Sequence, residues 1–222
     1  MEKTTTDLIV SSLTKAIVEL RLMPGTKLVE QKLADHFEVS RTVVRQALFQ
    51  LAQNRLIRLE KARGAFVATP SIEEAKQVFA VRRMLEAEMI RELVPKIKKK
   101  DIKALREHLK AERKAVMDGN DALKRTELLG DFHVLLANIL ENTVLTQMLN
   151  DLISRSALIT LMYQSRSDAN HSTREHVSIV DAIAAEDVET AVERTVLHLQ
   201  AVEASLVFER IIPSNNISIA LS

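Results

Sequence analysis

The chain has no cysteine and no tryptophan, and it contains few glycines, prolines and aromatic residues. Among its 222 residues are 4 Gly and 4 Pro, and aromatic side chains make up 3%. The absence of cysteine excludes a disulfide scaffold and any thiolate chemistry. Few glycines and prolines beside abundant Leu, Ala, Glu, Lys and Arg are typical of a helical protein. We therefore expect a mainly α fold.

Long apolar segments are also missing. No apolar run approaches the roughly 20 residues that a membrane-spanning helix requires. The N-terminal stretch Met1–Thr6 does not have the pattern of a secretory signal. We therefore expect a soluble, cytoplasmic protein without a membrane partner.

The net charge of +1 hides a difference between two parts of the chain. Residues 1–70 carry 11 Lys and Arg against 7 Asp and Glu, a net charge of +4, whereas residues 71–222 carry 20 against 23, a net charge of −3. A basic excess favours binding to nucleic-acid phosphates when the cations lie on one surface. We expect the N-terminal part to contact DNA.

The stretch 28–51 predicts two short helices joined by a tight turn. Apolar residues recur at helical spacing, the spacing breaks at Val39 and Ser40, and it then resumes. Ser40 is suited to cap the second helix, so that Arg41, Thr42 and Arg45 fall on its first turns, where a recognition helix meets bases and phosphates. The apolar positions are Leu28, Leu33, Ala34, Phe37, Val43, Val44, Ala47, Leu48 and Leu51.

The stretch 54–67 predicts two short strands joined by a basic tip, which we interpret as a wing. Helix, turn, helix and wing together form a winged helix-turn-helix, and we expect strands nowhere else. A plain helical hairpin with surface arginines is the alternative, but it does not account for the wing. We predict DNA contacts by the following residues of the second helix and the wing: Ser40, Arg41, Thr42, Arg45, Arg63 and Gly64.

Helices are predicted on both sides of this DNA-reading stretch. One helix spans Thr5–Leu22 and packs on it with Leu8, Ile9, Leu13, Ile17 and Leu20. After Pro70, about six helices form an all-helical bundle. They cover residues 72–93, 101–117, 121–140, 144–163, 173–185 and 188–208. We therefore divide the chain into a DNA-binding domain at 1–70, a helical domain at 71–210 and a tail at 211–222.

Three histidines of the bundle fall on apolar helix faces. His133, His176 and His198 lie on three different predicted helices, and all three side chains should point inward. A single buried histidine is more often an ordinary core residue than a ligand. Three from separate helices favour a site for a divalent metal, if they converge.

Several strings of the N-terminal part resemble the GntR family of bacterial transcription factors. Others, in the bundle, resemble the helical effector domain of that family, called FCD. The N-terminal strings are Leu22–Glu30, Val39–Thr42, Val44–Leu48 and Gly64–Val67, and those of the bundle are Arg82–Glu86, Phe132–His133, Asn142–Leu145, Glu175–Ile183 and His198–Leu199.

The resemblance implies a metal held by His133, His176 and His198 that helps to bind a small carboxylate effector. One position departs from the pattern, because many relatives have an aspartate four residues before the first histidine and this chain has Leu129. Asp131 should point to nearly the opposite face. A site of three histidines, completed by water or effector, would suit zinc or nickel.

Further effector contacts are predicted at Arg82, Asn138 and Tyr163. The resemblance places Arg82 at the effector pocket, where its forked guanidinium would bind a carboxylate. The alternative is a simple ion pair with Glu86, four residues further along the same helix.

Two classes of function follow from these features. The first, which we favour, is a homodimeric repressor that binds a palindromic operator on double-stranded DNA and senses a small organic acid; it is not an enzyme. The second is a metal-dependent hydrolase fused to a DNA-binding head, since a metal held by three histidines could activate water. No carboxylate stands at a recognisable spacing from the histidines to act as its general base. A purely architectural DNA binder would leave the histidines without a role.

Overall fold

The structure is a computed structural model that describes residues 4–18, 21–118, 122–164 and 166–208. The predicted tail at 211–222 lies outside the described residues. The chain divides into two compact units, with the boundary between Pro70 and Ser71. In the described residues, no helix combines the length and the apolarity that crossing a membrane would require.

The first unit contains three helices and a small antiparallel sheet. Its elements in chain order are α1 Thr5–Val18, β1 Lys27–Leu28, α2 Glu30–Phe37, α3 Arg41–Gln53, β2 Ile57–Glu60 and β3 Gly64–Val67. The strand order is β1-β3-β2, with Lys27 opposite Phe66 and Ile57 opposite Val67. The predicted winged helix-turn-helix is confirmed, but its sheet has three strands rather than two. The missed strand, β1, is two residues long, too short to show an alternating pattern.

Helix α1 is shorter than predicted, and one of its apolar residues faces outward. The described helix ends at Val18, and the amides of Arg21 and Leu22 both donate to the carbonyl of Ala16, five and six residues back instead of the four of an α-helix. Leu8 is 55% exposed because it lies outside the stripe that buries Ile9. That stripe and the facing helices form the core of the unit with Ile9, Leu13, Ile17, Leu33, Val44, Leu48 and Leu51.

The second unit is an all-helical bundle. Its elements are α4 Ile72–Leu93, a 3₁₀ turn at Val94–Lys96, α5 Lys99–Asp118, α6 Ala122–Ile139, α7 Thr143–Tyr163, α8 Arg166–Ala184 and α9 Val188–Ala204. Helix α4 packs against α9 and α7, α6 lies between α5 and α7, and α8 packs against α5 and α9. Side-chain caps mark the starts of α4, α7 and α9: Ser71, Asn142 and Asp187 each accept a hydrogen bond from a backbone amide of the first turn.

Two boundaries of the bundle differ from the predicted ones by more than two residues. Helix α8 begins seven residues earlier than predicted, at Arg166, because the polar stretch before Thr173 lacks apolar periodicity. Helix α9 ends at Ala204 instead of Phe208. Beyond it the amide of Val207 donates to the carbonyl of Tyr163, at the end of α7. The apolar residues after Ala204 therefore belong to a non-helical segment that contacts the end of α7.

Candidate functional site

The bundle brings the three predicted histidines together. His133 lies on α6, His176 on α8 and His198 on α9, and their exposed fractions are 3%, 0% and 3%. One ring nitrogen of each lies within 4.8 Å of the corresponding atoms of the other two. The distance between Nε2 of His176 and Nε2 of His198 is 3.2 Å. The convergence that a shared metal requires is thus present.

Each imidazole has a glutamate against its other nitrogen. Nδ1 of His176 lies 3.0 and 3.1 Å from the carboxylate oxygens of Glu112 on α5, and Nδ1 of His198 lies 2.8 Å from Oε2 of Glu175 on α8. Nδ1 of His133 lies 2.6 Å from Oε2 of Glu86 on α4, although this close contact lacks the alignment of a hydrogen bond. Such carboxylates fix the tautomer and the orientation of imidazoles that bind metals.

The tautomers follow from this arrangement. An ionised carboxylate only accepts hydrogen bonds, so in the neutral form of both rings the proton of His176 and that of His198 lie on Nδ1. Both Nε2 atoms then present lone pairs to each other across 3.2 Å. Two acceptors at this distance repel each other unless a cation lies near both. The donor set therefore fits a metal ion, with neutral imidazoles as ligands.

Burial favours the neutral form of two of these histidines. Burial, followed by repulsion from His176, lowers the pKa of His198 to about 4. Burial also lowers the pKa of His133 to about 3, despite the opposing charge of Glu86. Burial disfavours ionisation of Glu86, but the positive charges of Arg82 and His133 outweigh it and lower the pKa of that carboxyl to about 2. His133 and His198 are thus uncharged at neutral pH, as ligands must be.

In the described part of the chain, this metal-ligating cluster consists of the three histidines alone. Leu129, which stands where many relatives have an aspartate, lines the adjoining cavity, and Asp131 is exposed. A metal bound here would keep positions open for water or effector, which is also the arrangement of zinc sites with an exchangeable ligand.

Arg82 on α4 forms the ion pair with Glu86 that the sequence offered as the alternative. It is 5% exposed, and its Nε donates to Oε1 of Glu86 at 2.7 Å while Nη1 donates to Oγ of Ser156 at 3.0 Å. Its Nη2 is buried and has no hydrogen-bond partner among the described residues. An unpaired buried donor of a charged group costs about 1 to 3 kcal/mol or more, so this nitrogen calls for an acceptor.

A cavity next to Arg82 and the histidines offers space for that acceptor. Its volume is about 70 Å³, and one water molecule needs roughly 10 to 15 Å³ by the same measure. Gly130 on α6 keeps this part of the bundle tight, because a Cβ there would lie 3.0 Å from Cγ2 of Ile153 on α7. The polar and charged lining is formed by Arg82, Arg125, Thr126, His133, Ser156, Thr160, Gln164, Ser172, His176 and His198.

Two predicted effector contacts are not among the residues that line this cavity. Asn138 is exposed, because it lies five residues beyond His133 and hence on another face of α6. Tyr163 is buried at the end of α7, where its ring packs on Phe208 with centroids 4.3 Å apart. The structure therefore does not bring these two side chains to Arg82.

Sequence reasoning missed the three glutamates. Glu86 was considered only as a partner of Arg82, and Glu112 and Glu175 were not considered. A signal existed for Glu112, because it continues the buried stripe of Leu105 and Leu109 on α5, where a carboxylate needs a partner. Glu112 also contacts His108, whose Nε2 lies 3.2 Å from Oε1 of Glu112 and 2.9 Å from the carbonyl of Leu128.

The predicted DNA-reading residues lie on the first unit. Oγ of Ser40 accepts from the amide of Val43 at 3.4 Å, so the predicted cap of α3 is confirmed. Arg41, Thr42 and Arg45 are exposed on the first turns of α3. Both arginines bind the carboxylate of Glu30, the first residue of α2. Helix α3 thus presents a partly neutralised basic surface.

The wing carries the other two predicted contacts. Nη1 of Arg63 lies 2.6 Å from Oε2 of Glu60, and its guanidinium lies 5.5 Å from the ring centre of Phe66. Gly64 has φ of +103°, a conformation that other residues rarely adopt, and it lies next to Arg63 at the start of β3. This glycine permits the tight turn that positions Arg63 at the tip.

Each of the two units matches a known protein family. The family described as bacterial regulatory proteins, gntR family, matches residues 5–67, and the FCD domain family matches residues 77–201. The chain belongs to the GntR family of transcription regulators and carries an FCD domain. This GntR regulator is therefore a DNA-binding transcription regulator and not an enzyme, since both of its domains and its relatives are of regulatory type.

Two curated relatives of this GntR regulator cover most of its length. The HTH-type transcriptional repressor RspR of Escherichia coli (strain K12) is 28% identical over 196 residues, which are 87% of this chain and 85% of RspR. The HTH-type transcriptional regulator LutR of Bacillus subtilis (strain 168) is 26% identical over 204 residues, 82% of this chain and 92% of LutR.

Among solved structures, a GntR transcriptional regulator from Rhodococcus sp. RHA1 has the same fold. Its TM-score is 0.71 at 23% identity, over 90% of this chain and 95% of that one. At this identity the likeness concerns the fold only.

Proposed function

We propose that this GntR regulator is a homodimeric repressor of transcription whose operator affinity changes when a small carboxylate binds beside a divalent metal in its FCD domain. The relative RspR is named a repressor, which supports this sign of regulation. The DNA-binding domain is assigned to residues 1–70, the effector and dimerisation domain to residues 71–210, and the tail to residues 211–222.

The observation that carries the proposal is the unpaired Nη2 of Arg82. It lies in a buried guanidinium whose other nitrogens are held by Glu86 and Ser156, and Arg82 lines the same cavity as the three histidines. A carboxylate could accept from Nη2 with one oxygen while the other faces the positive charge of a metal on the histidines. Zinc or nickel suits three imidazole ligands with open positions.

The position of Arg82 suggests how binding could reach the DNA-binding unit. Arg82 is on α4, the helix that follows directly after Pro70, and Glu86 links the same helix to His133. A ligand that binds Arg82 and a metal held by the histidines would contact groups of four helices, α4, α6, α8 and α9, at the same time. It shifts the operator equilibrium only if it binds one arrangement of these helices better than another. Coupling of about 1 to 3 kcal/mol would give a physiological response.

On DNA, the residues assigned to contact are Ser40, Arg41 and Thr42 of the recognition helix, Arg45 one turn further, and Arg63 and Gly64 of the wing. Their exposure on one unit with excess basic charge supports this assignment. An arginine that binds a guanine with both arms contributes about 1 to 3 kcal/mol of discrimination. A loss of operator affinity in Arg41→Ala and Arg45→Ala is the expected result.

The test combines metal analysis with operator titration of the full-length protein. Replacing His133, His176 or His198 by Ala should remove bound zinc or nickel and abolish the response of operator binding to a panel of small carboxylates. His171→Ala is the matched control, because His171 is an exposed histidine of α8. Full metal content in all three single variants would refute the metal site.

The role of Arg82 is tested separately. Arg82→Lys retains a cation near Glu86 but not the forked guanidinium, so metal content should stay normal while carboxylate affinity falls about tenfold or more. Arg83→Lys is the control on the same helix, where Arg83 pairs with Glu203. An unchanged carboxylate response in Arg82→Lys would remove Arg82 from the effector site.

A further inference from the structure

Glu30 is positioned to organise the recognition helix. It is the first residue of α2, where the helix dipole favours a negative charge, and its side chain is 30% exposed. Arg41 and Arg45 lie four residues apart on α3 and therefore on one face. Nη2 of Arg41 donates to Oε2 of Glu30 at 2.8 Å, and Nε of Arg45 lies 3.0 and 2.9 Å from the two carboxylate oxygens.

The contact to Arg45 uses one edge of the guanidinium and leaves the other available. Both oxygens of Glu30 face Nε, and among the residues that the structure describes neither terminal amino group of Arg45 has a hydrogen-bond partner. Those two amino groups form the edge that binds guanine O6 and N7. Arg45 is 63% exposed, so this edge is accessible. Arg41 contacts Glu30 through a different edge, since both its Nε and its Nη2 donate to Oε2 of Glu30.

The negative charge of Glu30 also affects how this surface attracts DNA. Hydrogen bonds from Arg45 and then from Arg41 lower the pKa of Glu30, so the carboxylate is ionised at neutral pH. One negative charge between two guanidiniums reduces the attraction of this surface for phosphates. A phosphate contact that turned either arginine away would have to break its bond to Glu30, whereas a base contact through the free edge of Arg45 would not.

We propose that Glu30 is a positioning residue for specificity: it holds Arg41 and Arg45 so that they contact base edges, and it suppresses binding to DNA of arbitrary sequence. This inference rests on the proposed contacts of Arg41 and Arg45. It adds a residue that reads no base and yet sets the ratio between operator affinity and non-specific affinity.

The experiment compares full-length wild type with Glu30→Gln on two duplexes. One is recovered from a random-sequence pool by the wild-type protein, and the other is a scrambled duplex of equal composition. Affinities are measured by fluorescence anisotropy at several salt concentrations. Glu30→Gln should bind the scrambled duplex more tightly, and the ratio of the two affinities should fall about tenfold, within the range that one base contact contributes. If Gln disturbs the fold, Glu30→Asp takes its place with the same expectation, because the shorter side chain cannot span both arginines.

Asp35→Asn is the matched control. It removes one negative charge from the same helix, but Asp35 accepts from Gln31 at 2.7 Å and contacts neither arginine. Its affinity ratio should equal that of the wild type. A Glu30→Gln ratio equal to that of the wild type or of Asp35→Asn overturns the inference.

Arg45→Ala separates this inference from the proposed function. If Arg45→Ala loses operator affinity, the proposed contact stands and the Glu30 variant alone decides the inference. If operator affinity is unchanged in Arg45→Ala, the contact assignment fails and the inference fails with it.

Discussion

At the scale of single residues, the centre of the bundle depends on three pairs of carboxylate and imidazole. Glu112 and Glu175 orient the rings of His176 and His198, and Glu86 stands against His133 while it also binds Arg82. Each glutamate comes from a helix other than that of its histidine. The pairs therefore connect the helices, and they also orient the imidazole rings.

Replacing Glu112 by Gln should weaken metal binding while all three histidines remain. The amide no longer favours the proton on Nδ1 of His176, so the metal affinity should fall about 10- to 100-fold. Competition with a zinc chelator measures this effect. Glu107→Gln is the matched control, because Glu107 lies on the same helix and pairs with Lys110 at the surface. Equal metal affinity in Glu112→Gln and Glu107→Gln would show that Glu112 does not support the site.

The buried ionisable groups predict acid sensitivity of the metal-free protein. The pKa values of His133 and His198 fall from 6.5 to about 3 and about 4, so the unfolded chain binds these protons more readily than the folded one. The contribution of these two histidines to the free energy of unfolding is thus largest above pH 6.5 and decreases as the pH falls toward 4 and 3. Glu86, whose pKa falls from 4.5 to about 2, gives a further loss between these values.

Urea unfolding with a chelator at about pH 7.5 and about pH 5 measures this dependence. The metal-free wild type should be less stable at the lower pH. His133→Asn should show a smaller difference, and His171→Ala, which changes an exposed ring, should retain it. A free energy of unfolding that is the same at both pH values would contradict the depressed pKa values.

At the scale of elements, α3 depends on its cap as well as on its buried face. Val44, Ala47, Leu48 and Leu51 bury one side, whereas Oγ of Ser40 satisfies an amide of the first turn, next to the assigned DNA contacts. An arginine at a frayed helix end would be poorly oriented. The cap thus keeps the first turn of α3 ordered.

Ser40→Ala should make the first turn of α3 open more easily, by about 1 kcal/mol. Hydrogen exchange of the amides of Val43 and Val44 measures the local opening free energy. The amides of α6 in the same sample provide the reference, because they belong to the other unit. Ser40→Asn, which restores a capping oxygen, should return the exchange rates toward those of the wild type. Unaltered exchange of α3 in Ser40→Ala would show that the cap contributes little.

At the scale of the whole molecule, the two parts of the chain differ in charge: the first is basic and the second is acidic. The net charge of +4 in residues 1–70 favours approach to DNA, whereas residues 71–222 carry a net charge of −3. A single reading head covers few bases. Two heads related by two-fold symmetry would read a longer site.

The protein should therefore be a homodimer that protects a palindrome, with half-sites about 10 base pairs apart or a multiple of this spacing. Sedimentation equilibrium gives the oligomeric state, and footprinting on the selected duplex shows the symmetry of protection. A scrambled half-site should reduce affinity by more than the loss of one base contact. A monomer that protects one undivided site would contradict the dimer.

The sequence by itself determined the helix-turn-helix, the two strands of the wing and the order of the α-helices. Ser40 and the apolar spacing around it are local, and a helix cap or an amphipathic stripe depends on residues within one or two turns. The inward direction of His133, His176 and His198 follows from the same local periodicity. Helix ends, such as the end of α9, are harder to predict. The turn beyond Ala204 depends on the contact of Val207 with Tyr163, which is distant in the chain.

Only the tertiary structure decided which side chains meet. Glu112 and His176 are 64 residues apart, and Arg82 and Ser156 are 74 apart, so their contacts depend on how the helices pack and not on any local pattern. The same holds for Glu30, which reaches Arg41 and Arg45 across the turn of the reading head. The sequence could name the groups that carry the chemistry. Their partners, and the single nitrogen of Arg82 left without one, exist only once helices distant in the chain are packed together.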